Sequence, residues 1–435
     1  MKKYYYLAKN KLFPLCRSLT GNGVRQTLKL IKKEFPELKI KKIKCGTRVF
    51  DWKIPPEWMI KDAYIIDKFK KKIIDFKKNN LHLVGYSTPI NKVIKKKFLE
   101  KKLFFIKKKP NAIPYITSYY KKDWGFCISL EQKKKLDNEY NNNDLFNVFI
   151  DSKLKPNGYL NYGELVIKGK SKKEILISTN ICHPSMANNE LSGIIVSMCL
   201  INYFKKISND KTIRFLFIPE TIGSIIYINK NLNNMKENII GGYTLSCIGD
   251  DRSHSCMLSK YKNSPSDKAI LEAYKKLKIR NFKVYSFLQR GSDERQYNSP
   301  GVDLPISSIF RSKYETYPEY HTSLDNFKLV TLKGISGGFK VAKTAINILL
   351  NQIIPKTRVI CEPHMSKHKL YPSLSNKLYL ELRNNKKFFS SRKYMDFLQY
   401  ADGKMTLQEI SKKIKINQLN TKKIYLLLKE KKLVD

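Results

Sequence analysis

Histidine is scarce in this chain, six residues in 435, and two of the six stand in acid-bearing segments that follow apolar runs. The first segment is Ile181-Cys182-His183-Pro184-Ser185-Met186-Ala187-Asn188-Asn189-Glu190-Leu191-Ser192-Gly193, and the second is Glu319-Tyr320-His321-Thr322-Ser323-Leu324-Asp325-Asn326. Between them the apolar run 215–218 delivers Pro219-Glu220-Thr221. Neutral imidazole and carboxylate together are the N/O donor set of zinc, and a catalytic zinc keeps one position open where water becomes nucleophilic near neutral pH. A remaining carboxylate takes that water's proton. One histidine taken singly is more often an ordinary hydrogen-bonded residue, and Glu220 alone would serve as a carboxylate at a helix N-terminus. It is the joint placement of His183, Glu220 and His321 that points to a cation. A fourth segment, Arg290-Gly291-Ser292-Asp293-Glu294-Arg295-Gln296-Tyr297, is too polar to bury without partners. It is either a solvated turn or gathered around something charged. His82, His254, His364 and His368 lack such contexts and are read as structural.

The elements that must position these residues follow from periodicity. From about 145 to 352, apolar strands alternate with amphipathic helices: strand 174–179 and helix 191–204, strand 212–218 and helix 224–232, strand 243–248 and helix 267–277, strand 304–309 and a closing helix 333–350. That alternation predicts an α/β sheet with helices on both faces, and ligands then sit at the carboxyl ends of the strands. Residues 1–45 read as helical. Residues 49–127 are aromatic and Pro-punctuated and read as a small inserted β-rich domain. Pro355 and Pro363 open a linker running through Leu370-Tyr371-Pro372, after which two short helices and an apolar end predict a winged helix-turn-helix. The expected division is 1–48 with 128–354 as the α/β domain, 49–127 as the insert, and 355–435 as linker and winged helix.

Composition narrows the partners. The chain carries 84 Lys and Arg against 37 Asp and Glu, a net charge of +47, with 42% hydrophobic residues. It folds and buries a core rather than remaining disordered. The basic excess is mostly lysine in short runs spread along the chain, so drift in codon usage accounts for it better than a focused anionic partner does. A nucleic acid partner is not favoured. The eight cysteines form no C-x-x-C pair, which fits reduced thiols and a cytoplasmic protein. No signal peptide or membrane span is legible.

Several longer segments carry a resemblance. Phe13-Pro14-Leu15-Cys16-Arg17-Ser18-Leu19-Thr20-Gly21, Val49-Phe50-Asp51-Trp52 with Pro56-Glu57-Trp58, Asn80-Leu81-His82, Trp124-Gly125-Phe126-Cys127, Cys182-His183-Pro184-Ser185, residues 291–297 and the His321 segment together resemble the aminopeptidase-like domain proteins associated with polysaccharide biosynthesis. These are similar in turn to the zinc aminopeptidase and glutaminyl cyclase superfamily. The resemblance covers most of the chain and implies an aminopeptidase-type α/β core, an inserted β-rich domain and a C-terminal winged helix. It also implies that His183 and His321 are the early and late metal histidines and that Glu220 is the strand-end acid.

The departures bear on the metal. Where zinc aminopeptidases have an Asp-Asn pair whose Asp bridges two ions, this chain has Asn189-Glu190. Glu220 stands alone where they have paired acids, and Ser246-Cys247-Ile248-Gly249 lacks their acidic ligand, although Asp250 and Asp251 follow. Two zinc ions need more negative charge than this, so one ion is expected, on His183, Glu190 and His321, with Glu220 as general base or as a ligand itself. Asp293 and Glu294 are expected to recognise a substrate amine or supply the missing acid, with Arg295 holding a substrate carboxylate and Tyr297 lining the substrate site. The expected activity is zinc-dependent hydrolysis of an amide in a peptide or an amino-acylated sugar. The alternative is a non-catalytic ligand-binding or regulatory protein whose winged helix contacts DNA or protein. A third reading gives the aromatic stretch 49–127 to sugar stacking in a carbohydrate pathway, against a plain hydrophobic core for the small domain.

Overall fold

A computed structural model describes residues 1–370 and 391–435. Eight strands form its main sheet: β1 (Lys39–Lys44), β2 (Tyr159–Ile167), β3 (Ser171–Asn180), β4 (Lys211–Ile218), β5 (Ile239–Leu245), β6 (Ser255–Met257), β7 (Lys283–Tyr285) and β8 (Ile306–Phe310). Their spatial order is β1-β2-β4-β3-β5-β8-β6-β7. The central strands β4, β3, β5 and β8 run parallel. β1 and β2 close one side antiparallel. β3 is buried continuously from Glu174 to Asn180, as a strand covered on both faces must be.

Helices α1 (Asn22–Glu34), α2 (Ser192–Phe204), α3 (Ile222–Asn238), α4 (Pro265–Lys276) and α5 (Leu332–Asn351) accompany the sheet. α2 is buried almost all round, the signature of a core helix. A Cβ at Gly193, in its first turn, would collide with the Leu245 carbonyl and the Thr179 hydroxyl. Only glycine lets this helix start so close to the ends of β3 and β5. α4 starts as its sequence dictates, with Ser264 and Asp267 in a capping box and Pro265 in the first turn.

Two expectations need revision. The 1–45 stretch is not helical throughout: after α1 it turns into β1, where Ile43 is the buried side chain of an otherwise lysine-rich strand, paired with β2. The alternation of a six-residue edge strand is too short to separate from a helix tail. The inserted sheet also extends past 127. Its four antiparallel strands are Lys72–Asp75, Glu57–Ile66, Leu145–Lys155 and Ile90–Lys95 in spatial order, so residues up to 155 belong with it. Trp58, Tyr86 and Phe126 are buried in its core, which supports the hydrophobic-core reading of that aromatic stretch.

The chain divides into two units, Met1–Leu350 and Asn351–Asp435. In the second, α6 (Ser391–Tyr400), α7 (Leu407–Lys413) and α8 (Gln418–Glu430) enclose Phe397, Ile410, Ile424 and Leu428. Thr406 and Glu409 form a capping box on α7. Thr357 pairs with Val434 and Lys356 with Asp402, giving the winged-helix arrangement. The expected linker therefore already contributes pairing at 356–357, and its continuation at 371–390, including Tyr371 and Pro372, lies outside the described residues. Among the described residues no helix is long and apolar enough to cross a membrane.

Candidate metal centre

The parallel register of β3 and β4 sets Asn180 beside Ile218. His183 and Glu220 follow within three residues, so both side chains leave the same carboxyl edge of the sheet, and His183 Nε2 lies 3.5 Å from Glu220 Oε2. His321 arrives on the loop after β8, with its ring centre 5.4 Å from that of His183. Two imidazoles held at about 2.0–2.1 Å by one tetrahedral zinc have ring centres about 5 Å apart. His321 Nε2 is buried with no hydrogen-bond partner, in a ring stacked on Tyr320 at 3.9 Å and met edge-on by Tyr115 at 5.3 Å. Burial, and then the neighbouring His183, push its pKa down to about 3. The imidazole is therefore neutral, as a ligand must be. An orphaned acceptor of this kind is what a cation site leaves when protein atoms alone are counted.

Glu190 is committed elsewhere. Its Oε2 accepts from the His183 backbone N–H and from His183 Nδ1, both at 2.7 Å, and its Oε1 accepts from Arg17 Nε at 3.1 Å. Both side chains of the Arg17–Glu190 pair are fully buried. Arg17 also donates to the Leu12 carbonyl. Glu190 lies in a π-helical turn, Ala187–Leu191, which rotates its carboxylate under the histidine. With Nδ1 occupied, Nε2 is the nitrogen His183 offers to the crevice. Cys182 Sγ, 3.6 Å from His183 Nδ1, makes Cys182, His183 and Glu190 dense enough in donors to hold an ion. Burial, however, raises that thiol to about 11, leaving it protonated, and Arg17 already supplies the positive charge there. Burial pulls the His183 pKa down, yet Cys182 and Glu190 outweigh it and the pKa rises well above the ordinary value, so Nε2 carries a proton that a cation bound there would have to displace. With the thiol neutral, Glu190 is the group that keeps the proton on Nδ1.

Glu220 is fixed through its other oxygen. Oε1 accepts from Asn180 Nδ2 at 3.1 Å and from the Ser292 hydroxyl, which leaves Oε2 facing His183. Asp293 Oδ1 accepts from the Thr221 N–H at 2.7 Å and the Ser224 hydroxyl at 2.9 Å, while its Oδ2 is buried without a partner. Burial and then Glu220 raise the Asp293 pKa to about 7. The loops carry strain as well: Ser185, Thr221, Cys247 and His321 all have φ between 44° and 63°, costly for residues with a Cβ.

The further positions at which the resemblance implies acids are neutral here or already hydrogen-bonded. Cys247 Sγ contacts Asn189 Oδ1 and the Tyr317 hydroxyl, each at 3.7 Å. Asp325 accepts from the backbone N–H groups of Asn188 and Asn189 at 2.5 and 2.9 Å and from the Tyr317 hydroxyl at 3.0 Å. Asp250 accepts from Asn188 Nδ2 at 3.1 Å and from Ser312 N and Oγ at 2.9 and 2.8 Å.

The Arg290–Tyr297 segment is only partly in the site. Ser292 and Asp293 reach Glu220 and Thr221. Glu294 turns away, its Oε1 accepting from Gly291 N, Ser292 N and the Tyr314 hydroxyl at 2.9, 2.9 and 2.7 Å, so it shapes the loop. Arg295 Nη2 donates to the Thr221 hydroxyl at 2.6 Å, and its Nε is buried without a partner. Tyr297 is fully buried in the core with its hydroxyl 2.9 Å from Ser178 Oγ. It cannot line a substrate site. Its helical spacing from Glu294 turns it inward, which the polar composition of the segment concealed. Three residues of the site were given no role in it by the sequence reading: Arg17, Asn180 and Tyr115. Tyr115 comes from the insert, where Tyr115 N donates to the His321 carbonyl at 2.8 Å, and it lies 5.3 Å from the ring of His183 as well as from that of His321. A Pro-Tyr step in an aromatic-rich insert was the available signal, and it carried no address.

Comparison with known proteins agrees with this architecture. The family model described as a domain of unknown function, DUF4910, matches residues 5–352, and a winged helix-turn-helix model matches residues 352–435. A Clostridium acetobutylicum protein named for polysaccharide biosynthesis and an aminopeptidase-like domain is 40% identical over 367 residues, 83% of this chain and 81% of that one. A crystal structure of a protein from Clostridium acetobutylicum bearing a peptidase name aligns over 100% of this chain and 96% of its own, at 35% identity and a TM-score of 0.78. A zinc aminopeptidase from Bacillus subtilis is 13% identical over 80% of this chain and 94% of its own, with a TM-score of 0.58. At that identity the likeness establishes the aminopeptidase-like fold and nothing more.

Proposed function

The chain belongs to the DUF4910 family, whose description assigns no activity, and from that premise we propose that it is a metal-dependent hydrolase of aminopeptidase type, holding one zinc on His183 Nε2, His321 Nε2 and Glu220. The observation that carries the reading is the buried, unpartnered Nε2 of His321 in a ring 5.4 Å from that of His183. A bound zinc supplies Lewis acidity toward a carbonyl and toward water. Glu190 orients His183 from behind and is not a ligand, because Arg17 and His183 use both its oxygens. Asn180 and Ser292 hold Glu220 in place. Asp293, with a free oxygen beside Glu220 and a pKa near neutrality, holds or releases a proton at Oδ2 as the reaction requires. Tyr115 and Tyr320 wall the imidazoles and keep bulk water off them. Arg295, anchored on Thr221, is the cation available for a substrate carboxylate. The substrate class is an amide in a peptide or an amino-acylated sugar.

Metal analysis of the full chain purified without chelator tests this. One zinc per chain is expected in the native protein and none in His321→Ala, with hydrolysis of aminoacyl anilides or aminoacyl-glucosamine following the metal. Zinc well below stoichiometry in the native protein sinks the proposal. Stoichiometric zinc without hydrolysis of either substrate class favours the second reading, a ligand-binding descendant of the fold, which is supported by the neutral Asn189 and Cys247 in positions where zinc aminopeptidases have acids.

A further inference from the structure

A cavity of about 680 Å³ opens between the N-terminal loop and the inserted sheet, large enough for a ligand of one or two sugar rings. Residues 13–20 and the first turn of α1 form one wall, and residues 58–60 with 76–81 form the other. Ser185 and Ser323 also line it, each two residues beyond a histidine of the metal centre, whereas His183, Glu220 and His321 do not. It is a separate chamber beside the centre.

Its lining has a distinct chemistry. Gln26 and Asn80 offer amides. Ser18 and Ser185, which donate to the Thr20 and Phe13 carbonyls, and Ser323, which accepts from Ile113 N, offer the remaining capacity of their hydroxyls. Phe13 and Phe76 offer apolar faces, and among the described residues no Asp or Glu takes part. Asn80 is 8% exposed. Its Nδ2 donates to the Pro14 carbonyl at 3.3 Å, and its Oδ1 is buried with no partner, an acceptor waiting for a donor. The charged groups of the lining are Lys77 and Lys78. Lys77 pairs with Asp62 at 2.9 Å, while no ion pair of Lys78 is found among the described residues. Amides and hydroxyls with aromatic faces suit a polyhydroxylated ring, and Lys78, with no ion pair among the described residues, suits a negative substituent on it.

We propose that this cavity is a second binding site, for an acidic sugar whose hydroxyls meet Asn80 and the serines and whose anionic group meets Lys78. The proposal stands whether or not the centre holds zinc. Calorimetric titration of the full chain with glucuronate and with glucose 6-phosphate tests it, with glucose and inorganic phosphate as controls. At least one acidic sugar is expected to bind about tenfold more tightly than either control, and the preferred one tells whether the charge is carboxylate or phosphate. Lys78→Glu, at an exposed residue with no ion pair among the described residues, is expected to weaken binding about tenfold and leave zinc content unchanged. Gln26→Ala provides a second, milder loss inside the cavity. The proposal is overturned if neither acidic sugar exceeds its controls, if the Lys78→Glu variant binds as the native protein does, or if the binding disappears in His321→Ala, which would place the sugar at the metal centre instead.

Discussion

Around His183, Glu220 and His321 the polar atoms are left unspent: His321 Nε2 and Asp293 Oδ2 have no partner, and Glu220 Oε2 has only the histidine facing it. Around Asn189, Cys247, Asp250 and Asp325 the four carboxylate oxygens all accept hydrogen bonds, from Asn188, Asn189, Tyr317, Arg252 and Ser312. Both regions sit at the carboxyl edge of one sheet. They differ because a donor already bonded to protein must give up that bond to meet a cation, and an unpartnered one need not. The lesson is that acids near a histidine do not make a metal site; acids with free oxygens do. Asp250 and Asp325 stitch loops together, which is why the proposal holds a single ion.

The strongest blow to this contrast is His321→Ala, which removes the unspent nitrogen outright. Zinc affinity is expected to fall by at least about a hundredfold, read by competition with a chromophoric chelator. Next, Arg17→Met leaves Glu190 buried without its cation and loosens the support of His183. Zinc binding should weaken by about 10–100-fold, and stability should fall by about 3 kcal/mol or more in urea titration, since one partner of a buried pair is gone. Glu190→Gln sharpens the point: if Glu190 orients rather than ligates, zinc stoichiometry stays at one while affinity drops by the smaller factor. Asn189→Asp works on the other region. It restores a carboxylate where zinc aminopeptidases have one, and is expected to tighten the single ion up to about tenfold without admitting a second, because Asp250 and Asp325 remain engaged.

The smallest effect concerns pH. Asp293 is protonated in the fold up to about pH 7, whereas the unfolded chain loses that proton near pH 4. A raised carboxyl pKa means the folded state binds more protons over that window, so its contribution to stability declines as pH rises from about 4 to 7. Asp293→Asn keeps Oδ1 for Thr221 and Ser224 and places an amide where Oδ2 is unpartnered. The metal-free variant should be more stable than the native chain at pH 8 by about 1–2 kcal/mol and equal to it near pH 4, measured by thermal melts.

How much of this was legible beforehand differs from residue to residue. His183, Glu220 and His321 could be chosen because apolar runs end just before the first two and an acid-rich segment holds the third. The strand–helix alternation, the insert and the winged helix follow from periodicity and turn residues, which are local properties. That Glu190 bonds to Arg17 and His183 and that Tyr297 lies in the core could not be read, because composition says which side chains are present and not which way a short helical turn points them. Arg17 lies 173 positions from its partner, and no local pattern encodes that pairing.

The sequence by itself determined the elements, the strand ends at which polar residues emerge, and the shortage of carboxylates behind the one-ion proposal. Only the tertiary structure decided which carboxylates are free. That depends on the parallel register setting Asn180 beside Ile218, on the π turn that slides Glu190 beneath His183, and on an insert loop carrying Tyr115 over both imidazoles. Hydrogen bonds between groups distant in the chain form only after the loops are closed, so the difference between a spent and an unspent acid is a property of the folded molecule.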